Sequence, residues 1–170
     1  MMGEDNLDKY EPNEEDSMCS ELVEKPVERV PFLIVIDSRE KKGYNIREAV
    51  VLPLVIGDYS VRGLEGVVAV ERKSHDDLFM CLTTGRTRFI AQLRRMSAIK
   101  RPLLVIDATA SSVLMGHVFS KISGEDALRR LQALCMKYSI PYVFADGHGL
   151  KITLNHLLFA YREHIDGRII

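Results

Sequence analysis

Asp58 and the triplet Glu71-Arg72-Lys73 bring two carboxylates and an ammonium into one short stretch of a 170-residue chain. Along a β-strand, side chains alternate, so Glu71 and Lys73 share one face and Arg72 takes the other. A preceding strand that folds back beside the triplet sets Asp58 against Glu71. Two carboxylates converging next to a lysine form a site for a hard cation with an ammonium alongside. Mg²⁺ takes oxygen ligands and keeps several of its waters, so two carboxylates and a backbone carbonyl are sufficient. Phosphodiester hydrolysis uses those parts: the ion offsets charge on the scissile phosphate and lowers the pKa of a bound water. Lys73 orients that water or stabilises the developing negative charge. Asp37, ending an earlier apolar run, is placed to hold a second ion or a coordinated water. A surface ion pair among the same residues is worth only about 0–1 kcal/mol and does no chemistry. Placement on converging strands is what separates the two readings.

The flanking pattern supplies those strands. Residues 32–36 form a short apolar run ended by Asp37-Ser38-Arg39-Glu40, as a buried strand would be. Residues 50–55 are β-prone, with Pro53 pointing to an edge or an irregular segment. Residues 59–62 and 67–72 flank Gly63-Leu64-Glu65-Gly66, a β-hairpin pattern. Ser74 is placed to cap a helix reaching Leu82, with Asp76 and Asp77 in its first turn. A second helix over 87–99 is apolar along Phe89, Leu93 and Met96 and polar along Arg88, Gln92 and Arg95. A strand over 103–106 ends in Asp107; a helical segment over 112–119, a helix over 125–138, a strand over 141–144 and a final helix over 150–165 follow. A hairpin first, then strands alternating with helices, gives an α/β fold: a mixed central sheet with helices on both faces.

Charge is distributed unevenly. The net charge is −1, yet residues 1–28 carry ten acids and two lysines, about −8, which leaves about +7 on residues 29–170. The pattern predicts an acidic, disordered tail over 1–28 and one basic domain over 29–170, which favours a polyanionic partner. Within the cluster Arg86, Arg88, Arg94, Arg95, Lys100 and Arg101, we read Arg88 and Arg95 as phosphate contacts and Arg94 and Lys100 as solvated surface. Such contacts position nucleic acid without reading its sequence. Cys19, Cys81 and Cys135 are too few and too far apart for a disulfide framework or a zinc site, which suits a reducing cytosol. No apolar run is long enough to span a membrane, and the acidic N-terminus is unlike a secretory signal. His75, His117, His148, His156 and His164 show no close metal-binding spacing and are read as surface or structural. The absence of a Gly-rich phosphate loop argues against a nucleotide-binding α/β protein.

Gly57-Asp58-Tyr59 followed by Glu71-Arg72-Lys73-Ser74-His75-Asp76-Asp77 resembles the signature of the XPF-type nuclease domain. That signature reads Gly-Asp, then Glu-Arg-Lys, three residues and Asp, and belongs to the PD-(D/E)xK, or restriction-endonuclease-like, superfamily. Val35-Ile36-Asp37-Ser38-Arg39-Glu40 is similar to the family's first-strand motif. Thr84-Gly85-Arg86 with residues 89–93 is similar to its Gly-Arg helix entry and following Gln, and residues 103–107 and 141–146 to its later strands. The likeness spans about residues 30–165.

The resemblance implies a restriction-endonuclease-like fold and a metal-dependent endonuclease acting on branched or junction-containing DNA in repair, recombination or replication. Its cofactor is Mg²⁺, with Mn²⁺ as a substitute. Carried over position by position, it places Asp37, Asp58, Glu71, Arg72, Lys73 and Asp77 in the catalytic site, with Asp37, Asp58 and Glu71 at the metal. It adds Arg39 and Arg86 as supporting or phosphate-contacting groups beside Arg88 and Arg95. Arg72, facing the other way, is expected to hold the site together through Asp77. Many members join this domain to a helicase-like region and a helix-hairpin-helix module. The present chain resembles the compact, stand-alone prokaryotic or viral form, working in the host cytoplasm or at the nucleoid, with a helicase or DNA-binding partner protein to supply the missing module. Asp107 stands where many stand-alone relatives carry Glu, an exchange that keeps the carboxylate. Domains of this family dimerise, and the final helix is apolar on two sides, so a homodimer is expected. The rival reading is a catalytically inactive DNA-binding or scaffold partner of the same fold. Such partners carry a decayed signature, whereas every charged position is present here.

Overall fold

The apolar run after Pro31 forms β1 (Ile34–Asp37), which ends on Asp37 itself. β2 (Ala49–Leu52) lies parallel to β1 on one side, and β3 (Tyr59–Val61) antiparallel on the other. The chain turns back into β4 (Val68–Ser74), antiparallel to β3 with Tyr59 opposite Val70. β5 (Arg101–Asp107) and β6 (Tyr142–Phe144) add in parallel, so the sheet order is β2-β1-β3-β4-β5-β6. This computed structural model describes residues 31–167; the acidic tail expected over residues 1–28 lies outside the described residues. β2 is an edge strand with Val51 largely exposed, as the Pro53 just beyond it allows. β5 is buried on both faces between two parallel neighbours, which is why Leu103, Leu104, Val105 and Ile106 read as an unbroken apolar run.

Alternation along β4 and β5 sorts the apolar residues into two layers. Leu104 and Ile106 pack against α1 (His75–Leu82), α2 (Arg86–Met96), Val113 of the short α3 (Ala110–Leu114) and α4 (Gly124–Tyr138). Val68, Val70, Leu103 and Val105 face the other layer, closed by Leu157 and Ala160 of α5 (Gly149–Asp166). The sheet is thus mixed, with helices on both faces, as the pattern predicts. On α2, Phe89, Leu93 and Met96 are fully buried, and each contributes about 1.5–3 kcal/mol. That stripe fixes the helix rotation and leaves Arg88, Gln92 and Arg95 facing away from the core.

Helix ends follow local chemistry. The Ser74 hydroxyl accepts from the Asp77 N–H at 3.2 Å at the start of α1, and Ser123 does the same for Asp126 at 3.1 Å on α4. The segment expected to be helical over 112–119 differs: α3 ends at Leu114, and Met115, Val118 and Phe119 project into solvent. Among the described residues nothing covers those apolar side chains, so no buried face holds a longer helix there. No described helix is long and apolar enough to cross a membrane.

Candidate active site

The hairpin brings Asp58 onto β4 through the backbone. The Asp58 N–H donates to the Val70 carbonyl at 2.8 Å, and the Arg72 N–H donates to Asp58 Oδ2 at 2.7 Å. Gly57 permits that approach: its φ is +77°, and a Cβ there would lie 3.0 Å from the Val70 carbonyl oxygen. From the other side, the Asp37 N–H donates to the Asp58 carbonyl at 2.8 Å, drawing the end of β1 to the same point. Asp37, Asp58, Glu71 and Lys73 consequently line one cleft of about 410 Å³, with Arg39, Arg88, Gln92 and Arg95 on its walls.

Glu71 lies deepest, with 1% of its surface exposed. Its Oε1 accepts from the Lys73 ammonium, while its Oε2 is buried without a hydrogen-bond partner among the described residues. A buried carboxylate oxygen in that state is costly unless a cation or donor meets it. Burial, and next the charge of Glu71, push the Asp58 carboxyl up to about 7, against the Arg72 N–H and Lys73, which favour its ionised form. Two crowded carboxylates share one ammonium, so the cleft floor is short of positive charge. Hard oxygen donors in that condition fit Mg²⁺ or Mn²⁺.

Burial works against the charge of Lys73, yet the Glu71 carboxylate outweighs it and holds Lys73 above the usual lysine range, an ammonium at any ordinary pH. Asp37 differs from the other two acids. Burial alone would raise its pKa, but donors from the Arg39 side chain and from the Arg39 and Leu54 backbone hold it below the usual carboxylate range. Arg39 Nη2 bonds Asp37 Oδ2 at 2.6 Å and also reaches the Leu54 carbonyl. Asp37 is therefore already engaged, and Asp58 and Glu71 hold the greater capacity for an ion. The Cys81 thiol on the cleft wall is pushed up by burial and stays protonated.

Three residues expected in or near the site lie off this cleft. Arg72 leaves β4 on the opposite face, as alternation requires. Its Nε donates to Asp107 Oδ2 at 2.5 Å, its Nη1 is 4.0 Å from Glu40, and its guanidinium stands 5.2 Å from the Tyr44 ring centroid. The expected link from Arg72 to Asp77 is absent, because Asp77 is taken up in capping α1: Ser74 Oγ donates to its Oδ2 at 2.7 Å. Asp77 lines a neighbouring groove with Cys81, Gly85 and Arg88. Arg86 opens α2, exposed, outside the cleft lining.

Two features escaped the sequence reading. Tyr44 stacks on Tyr59 at 5.4 Å and donates its hydroxyl to Asp107 Oδ1 at 2.6 Å, across a separation of 63 residues that no local spacing reveals. The histidines read as surface or structural include a pair, His75 and His117, that meet beside Asp76.

The sequence profile of the ERCC4 domain matches residues 23–150. The chain belongs to the ERCC4 domain family. Among solved structures it is similar to XPF from Aeropyrum pernix, at 18% identity and a TM-score of 0.60, covering 80% of this chain and 68% of that one. It is also similar to the same protein in complex with DNA, at 17% identity and a TM-score of 0.58, covering 82% and 68%. No curated protein matches the chain. The fold is accordingly that of an XPF-type nuclease domain, and the ERCC4 match includes Asp37, Asp58, Glu71 and Lys73.

Proposed function

We propose that this ERCC4-family chain is a Mg²⁺-dependent DNA endonuclease that acts on branched or junction-containing DNA, with Mn²⁺ able to substitute. The observation that carries the reading is the buried Oε2 of Glu71, unpartnered among the described residues, beside Asp58 and Lys73 in a cleft walled by Arg39, Arg88 and Arg95. The DNA complex of the structural relative supports DNA as the substrate class.

Asp58 and Glu71 would hold the ion, with Asp37 as a third, partly engaged carboxylate. When bound, such an ion offsets charge on the scissile phosphate and lowers the pKa of a coordinated water. Lys73 stays charged and stabilises the negative charge that develops on the phosphate. Arg88 and Arg95, one helical face apart from the core stripe of α2, grip the flanking phosphates, and Gln92 between them adds an amide. Repair, recombination or replication, in a cytoplasmic or nucleoid setting and with a helicase partner, is the context this activity suits. Leu150 and Phe159 remain exposed on α5, and a second copy of the chain is the partner proposed to cover them.

The test is cleavage of flap, fork, Holliday-junction and linear duplex DNA by the wild type and Lys73→Ala, with Mg²⁺ or with EDTA. Cutting of at least one branched substrate in preference to linear duplex, abolished by EDTA and by the substitution, supports the proposal. Tight binding with no cutting under any condition would assign the chain to the inactive scaffold class instead.

A further inference from the structure

Away from the cleft, His75, Asp76 and His117 converge where α1 begins. A ring nitrogen from each histidine and one Asp76 oxygen all lie within 4.8 Å of one another. His117 Nε2 is 3.1 Å from Asp76 Oδ1, and His75 Nδ1 is 3.7 Å from the same atom. Ligands of tetrahedral Zn²⁺, at bond lengths of about 2.0–2.1 Å, stand about 3.3–3.4 Å apart. The two spacings bracket that value. We propose that this cluster is a transition-metal site of the Zn²⁺ class, separate from the carboxylate site of the cleft.

The donor set selects the ion. Two imidazoles and a carboxylate suit Zn²⁺, Co²⁺ or Ni²⁺, whereas Mg²⁺ prefers oxygen alone. His75 is held in the orientation such a site uses. Its Nε2 lies 3.2 Å from the Ser112 carbonyl, which only accepts, so Nε2 donates there and the other ring nitrogen, Nδ1, faces Asp76 as the atom that would bind the ion. Both rings rest on Phe79, at centroid distances of 5.0 and 5.4 Å, and Asp76 is exposed enough for an ion to enter from solvent. The three residues of the cluster line a cleft of about 670 Å³.

His117 changes state on loading. Its Nδ1 accepts from the Phe119 N–H at 3.2 Å, so without metal its ring proton sits on Nε2, facing Asp76. Binding through Nε2 gives that proton up to solvent, Nδ1 takes one from solvent in exchange, so that the ring stays neutral overall, and the Phe119 bond breaks. Phe119 is 90% exposed, so the turn can repack at little cost in buried surface. The three protein ligands leave a fourth position to water. The ion ties the loop after α3 to the first turn of α1, the helix that directly follows β4.

The test is titration of the whole chain with Co²⁺, followed by visible absorption, and with Zn²⁺ by calorimetry, both in excess Mg²⁺. The expected result is one equivalent of Co²⁺ with the intense absorption of a four-coordinate ion. Affinity falls by at least about tenfold in His75→Gln/His117→Gln and stays unchanged in Glu71→Gln. The single His117→Gln variant, altered only in a loop, shows the same fall if the double variant does not fold. No binding to wild type, equal binding to the histidine variants, or loss of binding in Glu71→Gln would overturn the proposal. Because the site shares no residue with the cleft, its failure leaves the nuclease reading untouched.

Discussion

Arg72 donates to Asp107 at 2.5 Å on the face of β4 opposite to Lys73, its immediate neighbour in the chain. Tyr44 donates to the other oxygen of Asp107 at 2.6 Å and lies against the Arg72 guanidinium. One triplet therefore acts in two places. Glu71 and Lys73 build the cleft, and Arg72 ties β4 to β5 and to the loop that carries Tyr44.

Replacing Arg72 by Ala leaves Asp107 half-buried with one donor fewer. The expected loss of stability is about 2–3 kcal/mol, below the full penalty for a buried pair because both side chains keep some solvent. Arg72→Lys restores only part of it, since an ammonium offers neither the Nε geometry nor the flat ring contact. Urea unfolding measures both. A fully stable Arg72→Ala that fails only in cleavage would move Arg72 into the chemistry.

Arg88 and Arg95 line the cleft, whereas Arg94 stands exposed beside them. Arg88→Ala and Arg95→Ala should each weaken DNA binding alike on unrelated sequences and flatten the salt dependence by about one unit of slope. Arg94→Ala should leave both unchanged. Fluorescence anisotropy across a salt series distinguishes the three, and a sequence-dependent loss would contradict a phosphate-contact role.

His156 Nε2 lies 3.2 Å from the Arg101 carbonyl. Burial pushes this imidazole below its ordinary value of 6.5, the Arg101 backbone bond opposes, and the Arg101 charge adds to the fall. A proton thus binds the unfolded chain more readily than the folded one. The stability from this group is complete above pH 6.5 and declines as pH falls from there through the folded pKa. His156→Gln should show a shallower decline in unfolding free energy over that window; an unaltered pH profile would remove His156 as its source.

Light scattering at micromolar concentration tests the proposed dimer. The wild type should run as a dimer and Phe159→Asp as a folded monomer, because a charge on the exposed side of α5 opposes burial there. A monomeric wild type contradicts it.

Period-two patterning made β4 and its split of side chains legible, because a strand with helices on both faces leaves no freedom in which residue goes where. The Phe89, Leu93 and Met96 stripe likewise exposed α2 and the polar face that lines the cleft. Two kinds of relationship stayed hidden. Asp77 sits in a motif position, yet a local cap with Ser74 holds its carboxylate, and competition of that kind depends on side-chain angles rather than spacing. Tyr44 with Asp107, and His75 with His117, meet across long stretches of chain through the packing of separate elements. The segment expected to be helical over 112–119 stops at Leu114, because Met115, Val118 and Phe119 are exposed and bury no apolar face against the described residues.

The most direct test compares wild type and Glu71→Gln in single-turnover cleavage of branched DNA, with Mn²⁺ binding and thermal unfolding measured on the same samples. The amide still accepts from Lys73 and removes the buried charge that crowds Asp58, so the variant should fold at least as stably as wild type and bind DNA equally well. It should lose Mn²⁺ binding and slow cleavage by at least about 100-fold. A folded Glu71→Gln that cuts at the wild-type rate in Mg²⁺ would contradict the assignment of the cleft as the metal-dependent active site.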